Sequence, residues 1–126
     1  MFYLEVIDQK KNTNLIELTY KATSFAISQL FPKIRKYDIK IKLKDFDIDG
    51  DCFEYDDRIY EININRNQSI DDFLTSVFHE LVHVKQYIFG ELEDYEAKNI
   101  KQYLDNPQEK EAFKLQEELL EKWKKN

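Results

Sequence analysis

Cysteine is nearly absent from this chain of 126 residues, which carries Cys52 alone. A lone thiol excludes an intramolecular disulfide framework and a four-cysteine zinc ribbon, and it points to a reducing compartment. Glycine and proline are also scarce, two of each, and no repeat, linker or low-complexity tract is found. No apolar run approaches the roughly 20 residues of a membrane span. The start, Met1-Phe2-Tyr3-Leu4-Glu5, has neither the basic segment nor the apolar core of a signal peptide, so the cytoplasm is the expected location. Basic residues are outnumbered, 19 against 25 acidic ones, and the net charge of −6 argues against broad binding to a nucleic-acid backbone.

What is present suffices for one folded domain over residues 1–126: 42% of the chain is apolar and 14% aromatic. Phe2 to Ile7 alternates weakly, as a short strand would. Asn14, with Glu17 three residues on, reads as the N-cap of a helix over about residues 15–31 that ends at Pro32. Its face is Leu15, Leu18, Ala22, Phe25 and Ala26. Tyr37 to Lys44 alternates strictly and predicts a half-buried strand, and Cys52–Tyr55 and Arg58–Ile64 predict two more. Ser69 and Asp72 open a second helix that Gly90 stops, and Asn106-Pro107 opens a last one with Ala112, Phe113, Leu115, Leu119, Leu120 and Trp123 on its apolar face. Residues 91–104, acidic and aromatic, fit a short helix or an ordered loop. The expected class is α+β, with a three- to four-stranded, mostly antiparallel sheet.

The chemistry concentrates in His79-Glu80-Leu81-Val82-His83, which holds both histidines of the chain. Side chains four apart on a helix lie one above the other, separated by about 40° around its axis, so two imidazoles can reach one metal ion. Zinc lowers the pKa of a bound water toward ~7, and Glu80, pointing to the side, is placed to take the proton. Phe73, Leu74, Val77, Leu81, Val84 and Ile88 form the apolar stripe of this helix, and His79 and His83 fall on the opposite face. A buried structural histidine pair belongs on that stripe. The competing reading is two solvated histidines on a polar face.

The run His79 to Tyr87, then Gly90-Glu91-Leu92, resembles the HExxH metallopeptidases, or zincins, and in particular the small SprT-like and minimal gluzincin proteins often encoded by phages. Pro107 to Ala112 is similar to the acidic helix start that follows the motif in that group. The resemblance is strong around the motif and weak elsewhere within residues 55–115. It implies a zincin core, a third ligand from a second helix, and hydrolysis of peptide bonds in a peptide or protein substrate. Gln86 and Phe89 stand where the metzincin extension requires glycine and histidine. With no third histidine, the third ligand is expected to be a carboxylate. Glu109 leads, starting a Glu-x-x-Ala pattern that ends at Ala112, about 40–50° from the centre of the apolar stripe; Glu111, beyond ~100°, is the alternative. Glu109 also suits a plain capping box after Asn106. Glu96, Glu93 and Asp94 remain behind these two.

Other features carry less. Arg58 to Asn65 is the expected edge strand for pairing with extended substrate. Glu61 reads as a solvated side chain, and Tyr95 and Tyr103 as packing aromatics before oxyanion donors. Asp45, Asp47, Asp49, Asp51 and Asp56 partly fit a calcium loop, but strands flank them and an acidic hairpin loop fits better. Cys52 reads as a half-buried thiol, and Lys122-Trp123-Lys124-Lys125 as a solvated helix end. The first functional expectation is a zinc endopeptidase with Glu80 as base. The alternative is a non-catalytic zinc-containing module, for example of a phage particle. A third, DNA-linked protein repair, is set back by the acidic charge and the missing zinc ribbon.

Overall fold

The structure is a computed structural model and describes residues 2–91 and 106–126. Its architecture over these residues is α+β. In chain order the elements are β1 (Phe2–Asp8), α1 (Thr13–Leu30), β2 (Tyr37–Lys44), β3 (Gly50–Asp56), β4 (Ile59–Asn65), α2 (Ile70–Ile88) and α3 (Pro107–Lys125). No helix among the described residues is long and apolar enough to cross a membrane. Most of the 91–104 segment, with Glu93, Asp94, Tyr95, Glu96 and Tyr103, lies outside the described residues.

The sheet is mixed, which corrects the expectation of a mostly antiparallel one. Its order is β1-β2-β4-β3; β1 pairs with β2 and β2 with β4 in parallel, and only β3 and β4 run antiparallel. The physical reason is α1. A helix between β1 and β2 carries the chain back to the end from which it started, so the second strand runs in the same direction as the first. Alternation of apolar residues fixes which side of a strand is buried but not its direction. β3 and β4 form a hairpin around Asp57 and Arg58, and β4 enters between β2 and β3. Arg58–Asn65 is therefore an interior strand, and the two edges are β1 and β3.

One face of the sheet is the core. Ile39, Ile41, Leu43, Tyr60, Ile62 and Ile64 are all at most 1% exposed, and Ala22 and Ala26 of α1 with Phe73, Val77, Leu81 and Val84 of α2 are buried in the same cluster. The other face alternates Glu5, Lys40, Lys42 and Glu61 with no described helix over it. Glu61 pairs there with Lys42 Nζ at 2.9 Å and accepts from the Tyr55 hydroxyl at 3.0 Å.

α1 starts at Thr13 because Asn12, not Asn14, is its cap. Asn12 Oδ1 accepts from Leu15 N at 3.1 Å, and the Asn12 N–H itself donates to Asp8 Oδ2 at 2.9 Å. Arg66 donates to both Asp8 oxygens, at 2.8 and 3.1 Å. One buried ion pair thus joins the end of β1, the start of α1 and the approach to α2. Gly50 opens β3 directly from the acidic loop, which extends Asp51 to Asp56 along a strand. A calcium loop needs those positions curled around one point.

α2 is covered on two sides, and this positions the site. Its apolar stripe meets the sheet, while Phe78 and Val82 are buried on the side where α3 packs with Ala112 and Leu119. Phe25, Phe78 and Trp123 stack edge-on and tilted at 5.6–6.4 Å between ring centres. The face opposite the apolar stripe is thus an interface between helices, not a solvated surface.

Candidate metal centre

His79 and His83 point from α2 into that interface, with side chains 12% and 14% exposed. The rings stand edge to face, 4.9 Å apart. From α3, Glu109 reaches between them: its Oε1 lies 2.7 Å from His83 Nε2 and its Oε2 3.5 Å from His79 Nε2. Asn106 caps α3 through Gln108 N at 2.8 Å, and Pro107 begins the helix. Ala112, fully buried one turn beyond Glu109, has no side-chain bulk to hold the two helices apart.

The three ligand atoms lie within 4.8 Å of one another, so the group could hold a metal ion; it is the one such group found among the described residues. Two imidazoles and a carboxylate are a donor set of catalytic zinc, whose tetrahedral bonds of about 2.0–2.1 Å set neighbouring ligand atoms roughly 3.3 Å apart. Glu111 faces elsewhere. Both its oxygens accept from Lys85 Nζ at 3.1 Å, and Oε1 also accepts from Gln86 Nε2 at 3.0 Å. Lys85 is pinned in turn by Glu91 at 2.9 Å.

Glu80 is 6% exposed. Burial pushes its carboxyl up to about 7; the positive charge of the two imidazoles opposes this, and the charges of Glu109 and Asp51 add to it. His83 is drawn the other way by burial, but its hydrogen bond to Glu109 and the Glu80 charge lift it above its ordinary value. The Cys52 thiol, on β3, is raised well above its ordinary value by burial and by the Glu80 charge, so it is a neutral packing group.

A cavity of about 320 Å³ opens beside Glu80 and His79, walled by Ile48, Gly50, Thr75 and Phe113. Phe113, expected on the apolar face of α3, is 38% exposed and packs on the His79 ring at 5.0 Å. Gly50 brings β3 close to the helix: a Cβ there would sit 3.3 Å from Glu80 Cγ.

Two residues escaped the sequence reasoning. Gln116 Oε1 lies 2.7 Å from His79 Nδ1, and Gln86 Oε1 lies 2.7 Å from His83 Nδ1. A signal existed, since Gln116 stands seven residues after Glu109 and shares its helix face, and Gln86 stands three after His83.

No protein-family model, curated protein or solved structure matches this chain.

Proposed function

We propose that this chain is a zinc-dependent metallopeptidase, with His79, His83 and Glu109 as ligands and Glu80 as general base. The observation that carries the reading is Glu80 itself. It is a buried carboxyl, one residue from a candidate ligand, and it lines an open cavity beside His79. A site kept only for stability has no use for such a group.

The ion, when bound, supplies Lewis acidity to water and to the scissile carbonyl. The chain does the rest. Glu80 accepts the proton of the attacking water and passes it to the leaving nitrogen as the C–N bond breaks. The free edge of β3, beside the cavity, is the surface offered for backbone pairing with an extended peptide, in place of the interior strand β4.

Elemental analysis of untagged protein is expected to find close to one zinc per chain. Glu80→Gln is expected to keep that zinc and lose hydrolysis of a panel of denatured proteins. Zinc retained in a wild type inert on the whole panel would favour the non-catalytic module. No zinc, with none taken up when offered, would end the enzyme reading. Salt-sensitive binding to single-stranded DNA would reopen the repair alternative.

A further inference from the structure

We propose that Gln86 and Gln116 are positioning residues that each hold a proton on the Nδ1 of one histidine, so that Nε2 is the atom of both rings left to face Glu109. The consequence for metal affinity rests on the zinc reading above; the orienting role itself does not.

Gln86 is 1% exposed. Its Nε2 donates to the backbone oxygen of Gln108 at 2.9 Å and to Glu111 Oε1 at 3.0 Å. Both partners are acceptors only. Turning the amide over would set its oxygen against two others, so Oε1 is fixed on the His83 side. An amide oxygen 2.7 Å from a ring nitrogen can only accept, so His83 Nδ1 carries the proton. Gln116 repeats the arrangement on α3. Its Nε2 donates to Glu117 Oε1 at 3.3 Å, which leaves Oε1 to accept from His79 Nδ1 at 2.7 Å.

A carboxylate would accept the same proton, but Glu80 and Glu109 already place two carboxyl groups in this interface, and a third would repel both. A neutral acceptor orients the ring without that repulsion. The two anchors differ in strength: Gln86 is locked by two bonds, and Gln116, 9% exposed, by one longer bond. α3 thus provides Glu109, the orienter of His79, and the carbonyl that anchors the orienter of His83.

The test is long-range proton–nitrogen correlation NMR of the two imidazoles in metal-free protein, which reads which ring nitrogen carries the proton and how fast that proton exchanges. Wild type is expected to show two Nδ1 protons shifted downfield and protected from solvent exchange. Gln86→Met removes the acceptor at similar volume and is expected to abolish protection at His83 alone; Gln116→Met does so at His79 alone. Zinc affinity measured by chelator competition is expected to fall roughly 10- to 100-fold in each variant. Gln116→Glu is expected to restore the protected His79 proton. Rapidly exchanging Nδ1 protons in wild type, or protection unchanged in both methionine variants, would overturn the proposal. Should Gln86→Met fail to fold, Gln116→Met decides alone. Protected protons in a wild type that takes up no zinc would uphold the orienting role and refute the metallopeptidase.

Discussion

Gly50→Ala tests whether the approach of β3 to Glu80 is as tight as it looks. The added methyl would lie 3.0 Å from the backbone oxygen of Asn63, 3.0 Å from Ile64 Cδ1 and 3.3 Å from Glu80 Cγ. The carbonyl belongs to an interior strand, and Ile64 is fully buried, so neither has room to retreat. Overpacking of this kind costs about 1–3 kcal/mol. An unfolding entropy near 2.1 cal/mol/K per residue over this length converts each kcal/mol to a shift of about 4 °C, so Tm should fall by roughly 4–11 °C. Gly90→Ala is the control. No atom of the described residues lies within 4 Å of its added methyl, but φ is +67°, so its cost of about 1 kcal/mol comes from the backbone. If the site is catalytic, Gly50→Ala should reduce hydrolysis more than zinc content, because displacement falls on Glu80 and not on the ligands. An unchanged Tm for Gly50→Ala by calorimetry would refute the reasoning, since the contact would then be slack.

Glu109→Gln should weaken zinc binding by more than the roughly 100-fold that loss of an outer partner costs, while Glu111→Gln stays within that range, both read by chelator competition. Ala112→Leu should cost about 1–3 kcal/mol by forcing α3 off α2, and it should lower zinc content by carrying Glu109 with it. For Asp8, the Arg66 hydrogen bonds hold the carboxyl below its ordinary value against the opposing effect of burial. A depressed carboxyl stabilises the fold above its unfolded pKa, and that stability is lost as pH falls through the folded value. Asp8→Asn should therefore lower stability at pH 7 in urea unfolding, because Arg66 loses its charged partner. The gap to wild type should narrow below about pH 4; a gap independent of pH would remove the ion pair from the account.

Local signals carried far in this chain. The strict alternation of Tyr37–Lys44 marks β2 to the residue, because each of Ile39, Ile41 and Leu43 meets the core while the lysines face water. Ser69 caps α2 by accepting from Asp72 N at 3.2 Å, a contact made within one turn. What distant residues decide was not legible. Asn12 and Asn14 are equally good caps in isolation, and Asp8 selects Asn12 through a contact outside the helix. Strand direction and edge position depend on where α1 and the hairpin send the chain. At the site, the spacing of His79 and His83 is local, and so was readable. The interface that encloses them depends on α3, and the amide partners Gln86 and Gln116 have their roles only once the helices meet.

The mixed sheet has a consequence for the order in which the molecule assembles. β3 and β4 are joined by a tight turn, so their ladder closes over a short loop, whereas Phe2 pairs with Tyr37 and Asp38 with Ile59 across long intervening segments. Closing such loops delays folding, because chain entropy is lost before the contacts repay it. The hairpin is the natural early unit, β2 joins it next, and β1 completes the sheet at the edge. Amide hydrogens of β1 should exchange by the lowest-energy opening of the four strands. Because Asp8 ends that strand, the same opening frees Arg66 and unties the start of α1, while the hairpin beside Glu80 stays intact.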